Sequence, residues 1–372
     1  MAPTKIAVVG FGMSATVFHI PFILSLPDKF ELKVVVERSA TPDKSKARDK
    51  YPHLGLTVVN TLAEALEQDI DAVWVLAPNA EHFAYCKQAL EAGKHVVVEK
   101  PVTPTSQEAY ELADLARSKG LVLAVYQNRR WDADFLTLKA LVDRGEFGEL
   151  SEFESSFDRY KNVLNAKQWK EADIPGAGAA YDLGSHVIDQ IVDLFGAPQR
   201  ITGLVRNSRQ IGVPTVPDSF HIQLHYDPIA SSSDKPGRAL PLLATARGSI
   251  LSLESPQPRF RVRGTKASFV KTGVDAQEAE LVAGGPDAIG QEGFAVEPRE
   301  QSGTLYRAGV EPETITSVPG SYASWFSNVG DALLANDPSQ LIVKPEQAAL
   351  VIKVIEVATQ SSREGRTLDF SA

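Results

Sequence analysis

The sequence of 372 residues predicts an α/β protein in which a doubly wound parallel sheet precedes an α+β domain with a largely antiparallel, open-faced sheet. Strand-like apolar runs alternate with helical patterns up to about residue 126, and a glycine-rich turn follows the first run. Beyond residue 126 the strand-like runs have short connections, which favours antiparallel pairing. We therefore predict two domains, 1–126 and 127–372, with the last helix a candidate to pack on the first domain.

The glycine-rich turn follows residues 6–9, an apolar run typical of a strand buried on both faces. Gly10 and Gly12 come next, and Ala15 takes the third small position of a G-x-G-x-x-G/A pattern. A strand that turns through glycine into a helix offers backbone N–H groups and a positive dipole end to a phosphate. The pattern predicts a Rossmann dinucleotide site, and we assign cofactor contacts to Gly10, Phe11, Gly12, Met13 and Ser14.

The other elements follow from periodicity and end signals. The parallel sheet is completed by runs at 31–37, 57–59, 72–77, 95–99 and 121–126, and Thr105 with Glu108 has the pattern of a capping box. Further strands are predicted at 152–160, 200–206, 220–226, 242–253, 260–263 and 267–271, and helices at 132–144, 322–335 and 345–362. The polar stretch 228–238 predicts an exposed hairpin insertion, and 284–300 a long surface loop.

The composition excludes several classes of protein. The chain is 43% hydrophobic and 23% charged, as in a globular protein with a large core, and its formal net charge of −9 disfavours nucleic acid and anionic membranes as partners. Its one cysteine, Cys86, excludes an internal disulfide framework and a cysteine-rich metal site. No apolar run approaches the ~20 residues that span a bilayer, and no signal-peptide pattern opens the sequence, so we expect a cytoplasmic protein.

Cofactor choice depends on the residues after the second strand, Glu37, Arg38 and Ser39. A carboxylate at this position favours the ribose diol of NAD. An arginine beside a hydroxyl binds the 2′-phosphate of NADP through a bidentate contact. From the residues alone, both cofactors remain open.

Two further stretches contain candidate catalytic groups. Lys100 follows the fifth strand, where a lysine can hold a substrate hydroxyl, although a solvated surface lysine is the alternative. Asp182 and His186 lie four positions apart after a glycine-rich loop, so one helix would present both as a general acid/base pair; a surface or capping pair is the alternative. A metal site at Asp182, His186 and Asp189 lacks a further His or Cys at suitable spacing, and we predict none.

Residues 126–132 cluster after the sixth strand. Asn128 and Arg129 could hydrogen-bond a polyol or a phosphate, and Trp131 could form a wall of the pocket; a salt-bridge cluster at the domain junction is the alternative. Downstream, Asp158, Arg159, Tyr160 and Trp169 could line the same cleft.

Together, the glycine pattern, Glu99-Lys100-Pro101 and the stretch 176–186 resemble motifs of the glucose–fructose oxidoreductase/inositol dehydrogenase (Gfo/Idh/MocA) family, over essentially the whole chain. Within it, residues 126–137, 153–160 and 181–190 look most like the NADP-dependent scyllo-inositol dehydrogenase branch. Two departures are Ala177, in place of a family glycine, and the insertion at 228–238. Because family members commonly associate through the open face of the C-terminal sheet, the resemblance implies a homodimer or homotetramer.

The resemblance also implies roles for individual residues. Lys100 would lie beside the reacting carbon, Asp182 would contact the substrate, and His186 would be the acid/base. Glu37 and Arg38 would make NADP the favoured cofactor. Asn79 and His82 would lie near the cofactor ribose and pyrophosphate. Beyond the glycine loop, the predicted cofactor-binding residues are Glu37, Arg38, Ala77, Pro78, Asn79, His82, Glu99, Lys100 and Asn128. The predicted substrate-binding residues are Lys100, Asn128, Arg129, Trp131, Tyr160, Trp169, Asp182 and His186.

These observations predict an NADP(H)-dependent oxidoreductase that interconverts a secondary alcohol and a ketone on a cyclic polyol or sugar, with NAD(H) as the alternative cofactor. An aldose or dihydrodiol dehydrogenase on the same scaffold is one alternative. A dinucleotide-sensing regulatory protein without catalysis is another; it would keep the glycine loop but would not need Lys100 and His186.

Overall fold

The computed structural model describes residues 2–164, 172–229 and 238–371, which group into two units. The first contains residues 2–128, 277–294 and 321–349, and the second contains the described residues of 129–276, 295–320 and 350–371. Of the predicted insertion at 228–238, residues 230–237 lie outside the described part, as does Trp169. On either side of them, Ile229 and Arg238 form an antiparallel bridge.

The first unit is built on a parallel sheet of six strands. They are β1 (Thr4–Val9), β2 (Phe30–Val36), β3 (Thr57–Val59), β4 (Ala72–Val75), β5 (His95–Val98) and β6 (Leu123–Val125). Their order is β3-β2-β1-β4-β5-β6, and every neighbouring pair is parallel. The predicted doubly wound sheet is confirmed. Its strand order reverses between β1 and β4, and ligands of such sheets bind outside the carboxyl ends of the strands at that point.

Helices connect these strands. They are α1 (Ile20–Ser25), α2 (Lys46–Lys50), α3 (Leu62–Leu66), α4 (His82–Glu91) and α5 (Ser106–Lys119). A π-helical segment, Ser14–His19, leads from the glycine loop into α1, and Pro21 lies in the first turn of α1, where its missing N–H costs little. The predicted capping box before α5 is confirmed: Thr105 and Glu108 each accept the backbone N–H of the other at 3.3 Å.

The second unit contains a sheet of nine strands. They are β7 (Leu150–Ser156), β8 (Arg200–Arg206), β9 (Ser219–Tyr226), β10 (Leu242–Ser249), β11 (Pro258–Gly264), β12 (Ala267–Thr272), β13 (Gly303–Arg307), β14 (Glu313–Ile315) and β15 (Leu368–Asp369). The order is β14-β13-β12-β11-β7-β10-β9-β8-β15, and only β7 and β10 are parallel among its neighbouring pairs. The prediction of a largely antiparallel sheet is confirmed. The periodicity missed β13, β14 and β15, which are short.

The remaining helices are α6 (Ala133–Asp143), α7 (Ala179–Asp182), α8 (Gly184–Phe195), α9 (Gln277–Gly284), α10 (Tyr322–Leu334) and α11 (Pro345–Glu364). Helix α10 groups with the first unit, residues 345–349 of α11 group with the same unit, and residues 350–364 group with the second. Within the first unit, Phe326 of α10 stacks on Phe22 of α1, with ring centroids 4.9 Å apart. Among the described residues, no helix is sufficiently long and apolar to cross a membrane.

The predicted surface loop at 284–300 is partly helical and partly buried. Single helical turns form at Gly285–Ala288 and Arg299–Gln301. In the second unit Ala295 is 2% exposed and Glu297 is 8% exposed, and Glu297 forms an ion pair of 3.1 Å with the buried Lys271 of β12. Burial raises the pKa of Glu297 against the opposing charge of Lys271. The prediction of a surface loop is wrong at these two positions, where the ion pair with Lys271 accounts for the burial of Glu297, whereas Val296 and residues 298–300 are exposed.

Candidate active site

The two glycines in the glycine loop of the first unit have different roles. Gly10 has a φ of +95°, and a Cβ there would lie 2.8 Å from the carbonyl oxygen of Leu76, at the end of β4. Only glycine fits such a backbone this close to the neighbouring strand. A Cβ on Gly12 would meet nothing within 4 Å. Gly10 is therefore required by the fold, and Gly12 keeps open the space beside the loop, which is where the pattern predicts a pyrophosphate.

Glu37 follows β2, and its carboxylate lies at the N-terminus of α2. Oε2 accepts a hydrogen bond of 2.9 Å from the Ser45 hydroxyl, and the backbone N–H groups of Lys46 and Ala47 donate to the carboxylate at 3.1 and 3.3 Å. Burial opposes ionisation of Glu37, but these hydrogen bonds outweigh it and lower the pKa of Glu37. The side chain, 7% exposed, is committed to capping α2.

Arg38 has the opposite environment. Its side chain is 68% exposed and forms an ion pair of 3.0 Å with Glu81, which lies in the turn before α4. An exposed pair of this kind contributes little to stability, and a stronger anion can displace the carboxylate. Arg38 is therefore able to bind a phosphate at the carboxyl end of β2.

Glu99 joins the glycine loop to the segment after β5. The Ser14 hydroxyl donates to Oε1 of Glu99, and Nε2 of His19 lies 3.0 Å from the same oxygen. The backbone N–H of Lys100 donates to Oε2 at 3.0 Å. Burial raises the pKa of Glu99. The hydrogen bond and charge of His19, the charge of Lys100 and the hydrogen bond from Ser14 oppose burial and together lower this pKa. The ionised Glu99 thus links the predicted pyrophosphate loop to the backbone of the candidate catalytic lysine.

His82, predicted to lie near the cofactor, is fully buried. Its Nδ1 lies 2.9 Å from the carbonyl oxygen of Pro101, and its Nε2 lies 2.9 Å from that of Ala77. Burial lowers the pKa of His82 and outweighs the effect of both carbonyls. The imidazole holds together the segments that follow β4 and β5. Because both ring nitrogens face protein carbonyls, this geometry disfavours a direct contact between the His82 ring and a cofactor.

In the second unit, a glycine-rich loop leads into the segment of Asp182 and His186. Gly178 has a φ of +91°, and a Cβ there would lie 2.7 Å from the carbonyl oxygen of Pro217. The prediction of one helix for both side chains is wrong: Asp182 ends α7, and His186 lies in the first turns of α8. The break is at Leu183. The N–H of His186 donates to the Leu183 carbonyl at 3.1 Å, a hydrogen bond between residues three apart, as in a 3₁₀ turn. Leu183 keeps right-handed helical dihedrals of −102° and −39°, so the break is small.

His186 lies within a cluster of aromatic and cationic side chains. The His186 ring is 7% exposed, and its centroid lies 6.4 Å from that of Phe157. The guanidinium carbons of Arg129 and Arg159 lie 4.5 and 5.1 Å from the Phe157 centroid. Phe157 is thus contacted by two guanidinium groups that can donate hydrogen bonds, and its ring lies near the titratable imidazole of His186.

An ion pair holds α8, the helix of His186. The Arg130 guanidinium donates to both oxygens of Asp189, at 2.8 and 2.7 Å, and to Asp193 at 2.7 Å. Both members of the bidentate pair are almost fully buried, and burial raises the pKa of Asp189 against the charge of Arg130. Of the two interpretations of residues 126–132, Arg130 therefore fits the salt-bridge cluster. Among the described residues there is no group of three or more His, Cys, Asp or Glu suited to a metal ion.

Residues that the sequence analysis did not select complete this support. The Gln190 side chain of α8 donates to the carbonyl of Arg129 at 2.9 Å and accepts from Ser155 and Arg259 at 3.0 Å each. Arg259 also pairs with Asp134 at 2.8 Å. Arg129 itself pairs with Asp132 at 3.1 Å, and burial raises the pKa of Asp132 well above its usual value. No local motif marks this network, because its members come from four separate parts of the chain, at 129–134, 155, 190 and 259.

The two units each contain part of the predicted site. In the first, residues at the carboxyl ends of the parallel strands are Gly10–Ser14, Glu37, Arg38, Ala77, Pro78, Asn79, Glu99, Lys100 and Asn128. In the second, the candidate substrate residues are Arg129, Trp131, Tyr160, Asp182 and His186. Trp131 is 7% exposed, which suits a pocket wall, whereas Tyr160 is 53% exposed and bridges to Leu251. Their roles toward cofactor and substrate stay predictions.

Comparison with known proteins identifies relatives of the whole chain. Residues 4–127 match the model described as "Oxidoreductase family, NAD-binding Rossmann fold", and residues 139–370 match "Oxidoreductase family, C-terminal alpha/beta domain". An uncharacterized oxidoreductase of Schizosaccharomyces pombe is 41% identical, covering 99% of this chain and 100% of the relative. The scyllo-inositol 2-dehydrogenase (NADP(+)) IolW of Bacillus subtilis is 34% identical, covering 98% and 95%.

A solved structure agrees with the fold. The oxidoreductase YvaA of Bacillus subtilis has a TM-score of 0.87 and 32% identity, over 100% of this chain and 99% of that one. Both family models match where the structure has its parallel and its mostly antiparallel sheet. The chain therefore belongs to the Gfo/Idh/MocA oxidoreductase family and binds NAD(P) in its N-terminal Rossmann domain, as its motifs predicted.

Proposed function

We propose that this protein is an NADP(H)-dependent oxidoreductase that interconverts a secondary alcohol and a ketone on a cyclic polyol or sugar. One observation carries the proposal: Glu99 bonds both to Ser14 in the glycine loop and to the backbone N–H of Lys100. A cofactor bound at the loop and the candidate catalytic lysine would thus be held by one carboxylate. The 34% identity to scyllo-inositol 2-dehydrogenase supports the substrate class.

The residues divide the work of alcohol oxidation as follows. Lys100 donates a hydrogen bond to the reacting oxygen and stabilises negative charge on it. His186 accepts the hydroxyl proton, and Asp182 holds the substrate. The hydrogen on the carbinol carbon leaves as a hydride, for which bound NADP supplies the acceptor. In the reverse direction, His186 returns its proton to the oxygen as the carbonyl is reduced.

The choice of NADP over NAD is supported by the contrast between Glu37 and Arg38. Three hydrogen bonds occupy the Glu37 carboxylate at the positive end of α2, so its oxygens are poorly placed to accept a ribose diol. Its charge, already compensated there, repels a nearby phosphate less. Arg38 is exposed and held only by Glu81. A bound 2′-phosphate would therefore contact the cationic Arg38 beside an ionised carboxylate whose charge is already compensated by three hydrogen bonds.

Purified protein mixed with NADP or NAD and a panel of inositols, aldoses and their keto forms tests this proposal through the absorbance of the reduced cofactor. We expect turnover with NADP and at least one polyol or sugar. Lys100→Met should keep NADPH affinity within about 3-fold but lose about 10²–10³-fold in kcat, since it removes one preorganised donor. Lys87→Met is the control, because Lys87 lies on the exposed surface of α4, paired with Glu111.

Two outcomes would contradict the proposal. If no member of the panel turns over with either cofactor, the protein is not this kind of oxidoreductase. If Lys100→Met turns over like the wild type, Lys100 has no catalytic role. Turnover restricted to aldoses or dihydrodiols would favour the alternative dehydrogenases, and cofactor binding without any turnover would favour the dinucleotide sensor.

A further inference from the structure

We propose that His19 is a positioning residue for this enzyme: through Glu99, it holds the backbone of Lys100 in one fixed relation to the glycine loop. The proposal rests on the proposed function, in which Lys100 contacts the reacting oxygen. His19 itself is 0% exposed and acts only through its neighbours.

The first step of the argument is the direction of the hydrogen bond. Nε2 of His19 lies 3.0 Å from Oε1 of Glu99, and an ionised carboxylate can only accept. Nε2 therefore carries the proton and donates it. The same oxygen also receives the Ser14 hydroxyl, so two donors from one helical segment, five positions apart, hold it from the loop side.

The second step is that three aromatic rings pack against the His19 ring. Its centroid lies 4.2 Å from that of Tyr126, 5.6 Å from Phe326 and 6.4 Å from Trp325, with the latter two rings nearly perpendicular to it. Tyr126 follows β6, and the other two rings belong to α10. A ring enclosed in this way cannot follow Glu99 if the carboxylate moves, so it fixes where Oε1 lies.

The third step transmits this position to Lys100. With Oε1 held by His19 and Ser14, Oε2 of Glu99 faces the backbone N–H of Lys100 at 3.0 Å. The Lys100 peptide is thereby oriented at the point where its side chain leaves the chain. Loss of the His19 donor leaves the partly buried carboxylate with one partner fewer, which frees it to rotate away from the Lys100 amide. Because a displacement of about 1 Å in a catalytic group can cost about 10²-fold in rate, the effect should appear in kcat.

Two variants of His19 separate positioning from packing. His19→Met removes the donor at similar volume, and His19→Gln keeps an N–H donor near the place of Nε2. We expect His19→Met to lower kcat about 10–100-fold with the KM for NADPH within about 3-fold, and His19→Gln to recover most of kcat. Hydrogen–deuterium exchange at the Lys100 amide should be at least about 10-fold faster in His19→Met than in the wild type or His19→Gln, because that amide loses its fixed acceptor.

The exchange measurement keeps this proposal separate from the proposed function, because it needs no substrate. Faster exchange at Lys100 in His19→Met, reversed in His19→Gln, supports positioning even if no polyol or sugar reacts. Unchanged exchange, or equal loss of kcat in both variants, would show that His19 serves only in packing and would overturn the proposal. Should His19→Met fail to fold, Glu99→Gln replaces it: with its one acceptor oxygen held by His19 and Ser14, its NH2 group faces the Lys100 amide, and faster exchange at Lys100 is again the required result.

Discussion

The Ser45 hydroxyl donates a hydrogen bond of 2.9 Å to Oε2 of Glu37, which makes the carboxylate after β2 part of the N-terminal cap of α2. In a Rossmann fold an acidic residue after the second strand is expected to bind the ribose of NAD. Here the two oxygens of Glu37 are engaged by Ser45 and two backbone N–H groups. We therefore propose that the neighbouring Arg38 selects the cofactor.

Substitution of Arg38 should separate the two cofactors. We expect Arg38→Ala to raise the KM for NADPH about 10–100-fold, because it removes a charge-assisted hydrogen bond to the 2′-phosphate. The KM for NADH should change less than about 2-fold. Glu81→Gln removes the carboxylate that pairs with Arg38 and should lower the KM for NADPH about 2–5-fold. Steady-state kinetics with both cofactors provides the measurement. Arg117→Ala, at an exposed site on α5, is the control, and equal losses for NADPH and NADH in Arg38→Ala would refute this role.

The capping role of Glu37 predicts a pH-dependent stability. Because its folded-state pKa is lowered, ionised Glu37 stabilises the fold above its unfolded-state pKa of about 4.3, and this contribution is lost as the pH falls through the folded-state value. Glu37→Gln should reduce the free energy of unfolding by about 1–2 kcal/mol at pH 7, and the difference should shrink toward pH 3. Urea denaturation at several pH values measures it. The exposed Glu91→Gln serves as the control; a difference that stays constant with pH would contradict the capping role.

The two glycines of the loop should respond differently to the same substitution. Gly10→Ala places a Cβ 2.8 Å from the Leu76 carbonyl on a backbone of φ +95°, so it should destabilise the protein by about 1–3 kcal/mol. Gly12→Ala meets no protein atom within 4 Å and should leave the Tm unchanged. It should nevertheless weaken NADPH binding at least about 10-fold, because the methyl group occupies the approach of the pyrophosphate. Thermal unfolding and NADPH titration test both; tight NADPH binding by Gly12→Ala would place the pyrophosphate elsewhere.

Much of the fold was predictable because its signals are local. Strands of the parallel sheet are continuous apolar runs, and the glycine pattern directly follows the first of them, so β1 and the loop could be located by reading a few neighbouring residues. The capping box of Thr105 and Glu108 spans one helical turn and was found for the same reason. The positions of Lys100 and Arg38 at strand ends follow from the sheet alone.

The uses of the polar side chains could not be predicted in this way. Glu37 has the sequence position of a ribose ligand, and only the placement of Ser45 and the start of α2 makes it a cap. His19 meets Glu99 across 80 positions of the chain, and Lys271 meets Glu297 across 26. A buried polar group takes whichever donor or acceptor the packed chain brings within about 3 Å, since leaving it unpaired costs about 1–3 kcal/mol. Local sequence specifies which strand or helix holds a residue, and tertiary packing decides which partner that residue has.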